Sequence, residues 1–204
     1  MTYNIDENEI NKIKGIEGEV RGAVLKTDES YILKNKGEEG LTKVKECLKE
    51  FGVEIDYSSI SRMSYYPISL RILSLLAISK SFDYGKEEVK QMGRRAPRVS
   101  FLIKFFTQYF MSSEKTLERV DELWKKHYTK GRIETGEINE DKGIAVFKIY
   151  DADFHLIFCD YLSGYLATVV SMVVGKEVSS KEEKCVFNGD NCHQFHLSFD
   201  PTDK

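Results

Sequence analysis

The chain has 204 residues with a net charge of −3 and an isoelectric point of about 5.9. An apolar share of 41%, with 12% aromatic residues, is ample for a core and excludes wholesale disorder. The mildly acidic balance argues against nucleic acid as a partner, since phosphate binding needs a concentrated basic face. Residues 1–18 are charged and lack an apolar core, so no secretory signal is visible. The longest apolar stretch, residues 157–174, is broken by Asp160, Ser163, Thr168 and Ser171. It therefore reads as a buried helix rather than a membrane span. Four dispersed cysteines make no disulfide framework, and a soluble, cytoplasmic protein is expected.

In chain order, residues 1–17 form a polar N-terminal extension, able to make at most a short docked helix. Residues 18–25 (GEVRGAVL) read as a first strand, with Gly22 allowing a bulge or a close approach. Residues 28–36 and 38–51 read as two short helices joined at the GEEG turn, and the second carries Leu41, Val44 and Leu48 on one face. Pro67 opens a strongly apolar helix over 67–82. A short amphipathic helix over 85–96 closes at Arg94 and Arg95 before Pro97. Two further helices follow over 98–111 and 113–129, the first rich in phenylalanine. Residues 132–139 and 143–150 alternate around turn residues and predict an antiparallel hairpin.

The most specific stretch is 154–195. An apolar helix runs over 157–174 with Cys159 in its first turn, and its small residues, Gly164 and Ala167 among them, leave room for a close neighbour. Gly175 ends it. A strand-like run then leads to the Asn188-Gly189-Asp190 turn, and the chain returns through residues 193–199. Adjacent strands are joined by tight turns, so the fold class is α+β: a mainly antiparallel sheet under a helical layer. No Pro/Gly-rich linker interrupts residues 18–200, which read as a single domain.

This C-terminal half resembles the vinyl-4-reductase-like, or hydrocarbon-binding, domain family, a relative of the haem-nitric-oxide-binding domains and of a class of TRAPP trafficking subunits. The helix FCDYLSGYLATVVSMVVGKEV is similar to that family's Cys-x-x-x-x-Gly-Tyr helix. The hairpin EEKCVFNGDNCHQF is similar to its E-x-x-C-x-x-x-G-D-x-x-C-x-F pattern. The resemblance implies a homodimeric domain that encloses a small hydrophobic or aromatic ligand. Some members bind zinc near the cavity mouth, a pattern that falls here on Cys159, Glu182 and Cys185. The fourth position is His193 rather than cysteine, and Cys192 sits one place earlier.

Zinc takes four N, S or O ligands, and a hairpin folded onto a helix start can gather distant ones. The same thiols also suit a plain core. A haem site needs an axial donor facing an apolar pocket. Glu118 stands near the place where haem-binding relatives carry histidine, and no Tyr-x-Ser-x-Arg run occurs; Tyr66, Ser69 and Arg71 have the wrong spacing. Haem is therefore not expected. Phe105, Phe106, Tyr109, Trp124, Tyr128 and Tyr165 are the candidate ligand-lining residues, although aromatic stripes at helical spacing also build ordinary cores. His127, beside Lys125 and Lys126, reads as a surface histidine. With no phosphate loop, nucleophile elbow or His-Glu-x-x-His motif, no enzymatic activity is expected. The expected function is that of a sensory or carrier domain that signals through a partner. The alternatives are a trafficking-type scaffold and an accessory protein for tetrapyrrole chemistry.

Overall fold

A computed structural model describes residues 3, 5–99 and 120–202; the phenylalanine-rich segment with Phe105, Phe106, Tyr109 and Glu118 lies outside them. The fold is α+β and divides into two compact units. Residues 1–89, 126–130 and 154–158 form the first unit, and the rest forms the second.

In the first unit, α1 (Glu7–Lys14) is capped by Asp6, whose side chain accepts from the Glu9 N–H. Its Ile13 is buried. A short antiparallel pair, β1 (Glu19–Arg21) and β2 (Tyr65–Pro67), precedes the two helices that form the core. Helix α2 (Gly22–Glu50) is two helices meeting at Gly37, whose φ of 66° only glycine adopts at little cost. This is the joint expected at the GEEG turn. Helix α3 (Ile68–Phe82) follows Pro67, which caps it rather than entering it, and it is buried on nearly every side. Leu25, Ile32, Ile72, Leu75 and Leu76 are fully buried.

The first strand is shorter than expected, because the helix begins at Gly22. A Cβ there would lie 2.2 Å from the Ser61 carbonyl oxygen, so the glycine serves a close backbone approach rather than a bulge.

In the second unit, the hairpin of β3 (Arg132–Asn139) and β4 (Ile144–Tyr150) joins β6 (His193–Ser198) and β5 (Ser179–Lys184) in an antiparallel sheet of order β3-β4-β6-β5. Alternate residues Ala145, Phe147 and Ile149 of β4 and His193, Phe195 and Leu197 of β6 are buried. These are the inward faces that a half-covered sheet requires. Helix α4 (Lys86–Val99) runs through Pro97 instead of stopping before it. The proline's missing N–H removes one i→i−4 hydrogen bond, which the helix tolerates. Helix α5 (Val120–His127) precedes β3.

Helix α6 (Leu156–Val174) is long and apolar enough to cross a membrane, yet 67% of its most apolar window is buried. It packs against α4 through glycines: a Cβ on Gly164 would lie 1.8 Å from the Lys90 carbonyl oxygen, and one on Gly93 2.0 Å from that of Tyr161. The small-residue stripe does receive a close neighbour. Lys90 and Arg94 then tie α4 to the sheet edge by donating to the Ser180 and Val178 carbonyls.

Candidate metal centre

Four side chains of the second unit converge where α6 meets the last hairpin. One ligand atom from each of Cys159, Glu182, Cys185 and His193 lies within 4.8 Å of the other three. His193 Nδ1 is 2.9 Å from Glu182 Oε1 and 3.5 Å from Cys159 Sγ. Cys159, Cys185 and His193 are buried. The exposed Phe187 ring sits 5.8 Å from the His193 ring and covers its outer side.

Local structure sets each donor. Cys159 lies in the first turn of α6, whose start is fixed by His155 Nδ1 accepting the Ile157 N–H. Cys185 opens a turn closed by Asp190, whose carboxylate accepts the Cys185 N–H, and by the Asn188 and Asp190 N–H groups donating back to the Cys185 carbonyl. A bulge decides the pairing. Glu182 pairs with Phe195, but Lys184 pairs with Gln194, so the register shifts by one between them. Continued, the shifted register sets Cys185 opposite His193; unshifted, it would have faced Cys192.

Cys192 does not join the cluster. It is buried, but successive residues entering a strand turn to opposite sides. The five-residue expectation is therefore corrected to four donors.

Two thiols, an imidazole and a carboxylate form a set suited to a soft divalent cation in tetrahedral coordination. Burial, reinforced by Glu182, pushes the Cys159 thiol far above its usual range, and burial also raises Cys185. Without a cation both sulfurs stay protonated. With one, they release protons as they bind. All four cysteines of the chain are free.

Of the aromatic candidates, Trp124 and Tyr128 are buried. Tyr165 is half-buried and stacks on Tyr161 at 6.3 Å. Trp124 and Tyr165 belong to the second unit and Tyr128 to the first. Arg94 is engaged with the Val178 carbonyl. Arg71 lies fully buried against Asp28, in a polar network with Ser74, Tyr57 and Tyr128.

His127 is not a surface residue: it is 9% exposed, and its Nδ1 has no hydrogen-bond partner. Burial, helped by Arg21 and Lys126, pushes its pKa down to about 4. Its neighbouring lysines hid it, and β1, from far along the chain, meets the residue after it through the Val20–Tyr128 bridge.

No protein-family model and no curated protein sequence matches the chain. Solved structures do. An H-NOX (haem-nitric-oxide-binding) protein from S. oneidensis in its Fe(II)NO ligation state aligns with 88% of this chain and 99% of its own, at 10% identity and a TM-score of 0.67. An oxygen-binding H-NOX domain related to soluble guanylate cyclases, in its oxygen complex, aligns over 90% and 97% at 17% identity and 0.58. A Cs H-NOX mutant aligns over 90% and 99% at 20% identity and 0.62. The likeness establishes the fold. It also overturns the expectation that haem has no place here, because structures sharing the fold over nearly their whole length include an iron–nitric oxide and an oxygen complex.

Proposed function

We propose that residues 18–200 act as one sensory, non-enzymatic ligand-binding domain of the haem-nitric-oxide-binding fold. In this reading the Cys159–Glu182–Cys185–His193 cluster holds a soft divalent cation that pins the start of α6 to the last hairpin. The observation that carries the reading is the two-way coverage of the H-NOX structures, 88–90% of this chain and 97–99% of those. The finer reading comes from the family resemblance: a small hydrophobic ligand among aromatic residues, in a homodimer that signals to a partner protein. The buried Tyr128 of the first unit suits such a lining.

Haem, when bound, supplies an iron able to take a diatomic gas. Its first requirement is a neutral imidazole with a nitrogen to spare. Among the described histidines, His155 is engaged at both nitrogens, His193 belongs to the cluster, and His196 stands on the outward, alternate side of β6 from its buried residues. His127 is buried, neutral and unpartnered at Nδ1, so the residues present are chemically compatible with the group.

The test is native mass spectrometry and elemental analysis of the purified protein, followed by haem reconstitution with absorbance read before and after nitric oxide. A bound small molecule or a gas-sensitive Soret band is expected. A protein that retains no small molecule and takes up no haem would refute the sensory reading, and an absence of metal would refute the assigned centre.

A further inference from the structure

Thr129 donates its N–H to the Glu19 carbonyl, and Val20 forms an antiparallel bridge with Tyr128. His127, the last residue of helix α5, stands directly before this bridge and Arg21 directly after it on β1, close enough for the Arg21 charge to bear on the His127 ring. On its other side Arg21 pairs with Tyr65 of β2. These three neighbours make one row.

Two polar atoms in this row are shielded from solvent and have no partner: Arg21 Nε and His127 Nδ1. The rest of the guanidinium lies over the Tyr65 ring, its Cζ 5.0 Å from the centroid, and carries no counter-charge there. One Nη donates to Tyr65 Oη at 3.1 Å, and the other lies 3.9 Å from the Met63 sulfur. Among the described residues no carboxylate pairs with Arg21, and the charged neighbours that bear on His127, Arg21 and Lys126, are both cationic. A shielded donor left unused costs about 1–3 kcal/mol, and a partly buried cation is seldom left without a counter-ion. The missing partner is thus an acceptor with negative charge. A carboxylate supplies two oxygens, one for the Nε–H and one for an Nδ1–H. The rim of the row is apolar and open: Met63 is 71% exposed and Tyr65 37%. That suits a carboxylate carried on a hydrocarbon or aromatic body better than inorganic phosphate.

We propose that Arg21 and His127 form a binding site for the carboxylate of a small organic acid. The assignment does not depend on the metal centre or on the sensory reading, and it competes with iron for the His127 ring.

The experiment is a titration of the full-length protein with benzoate, its neutral isostere benzamide, and phosphate, at fixed pH. It is followed through the histidine ring nitrogens by 15N-correlated NMR. A saturable shift of the His127 resonance with benzoate, at least ten-fold weaker with benzamide and phosphate, is expected. The response should vanish in Arg21→Gln and weaken at least ten-fold in Arg21→Lys, which keeps the charge but loses the Nε–H; the same spectra report whether each variant is folded. Equal responses to benzoate and benzamide, no saturable response, or a folded Arg21→Lys variant with unchanged affinity would overturn the proposal and leave the two atoms bridged by water. A His127 resonance that responds to haem and to none of the three probes would assign the ring to iron and also overturn it.

Discussion

Each unit contains a buried polar cluster, and the two clusters are of opposite kinds. In the first unit Arg71 and Asp28 pair with neither exposed, Ser74 donates to Asp28, and Tyr57 hydrogen-bonds Ser74. Arg71 also meets Tyr128, whose hydroxyl burial pushes up to about 12. There the buried cation has its counter-charge in the same unit, and the hydroxyls of Ser74 and Tyr57 link onto that carboxylate. In the second unit Cys159, Cys185, His193 and Glu182 offer donor atoms that can all face one point. Their charges would sum to a negative value if ionised, and among the described residues the group itself contains no lysine or arginine. A closed network holds a fold together, whereas an open one describes the ligand it lacks.

Breaking the closed network has the largest expected effect. Arg71→Met leaves the Asp28 carboxylate buried without its cation and should destabilise the protein by about 3–5 kcal/mol in urea unfolding. The double variant Arg71→Met with Asp28→Asn should recover much of that loss. If the single variant is nearly neutral, the network is not the self-contained unit described here.

A single partnerless group should make itself felt through pH. His127 is held down to about 4 in the folded chain, against an ordinary value of 6.5. The unfolded chain therefore binds this proton more tightly. The stability tied to the neutral ring is fully present above pH 6.5 and drains away as pH falls toward 4, by at most roughly 3 kcal/mol. Thermal unfolding from pH 7 to 4 should show that loss in the wild type and lack it in His127→Gln. Identical profiles would mean that the ring protonates freely while folded.

The open cluster is sharpened by comparing cysteines. Cys159→Ser should weaken cadmium binding, followed by thiolate-to-metal absorption, by more than about 100-fold, the upper range for loss of a supporting residue. Cys192→Ser should leave it unchanged. Equal losses would mean that the bulge does not select His193 over its neighbour.

The smallest effect belongs to the pair of His155 Nε2 with Glu9 at 2.9 Å, where Glu9 is partly exposed. Glu9→Gln should cost less than about 1 kcal/mol by thermal shift, because water screens that carboxylate. A larger loss would show that α1 depends on this one contact.

Much of this molecule is written in local sequence. The apolar run closed by Gly175, the helix after Pro67, the joint at Gly37 and the hairpin before α6 each depend on neighbours a few positions apart. The α+β class was legible for that reason, while the four side chains that converge in the second unit were picked out by the family resemblance. What the tertiary structure alone decided involves distant partners. A one-residue shift between Glu182 and Lys184, invisible in composition or periodicity, chose His193 over Cys192. His127 is buried beside a place where residue 19 meets residue 129, a contact 110 positions apart, and a side chain's solvent exposure is a property of whatever lands on it and not of the letters beside it.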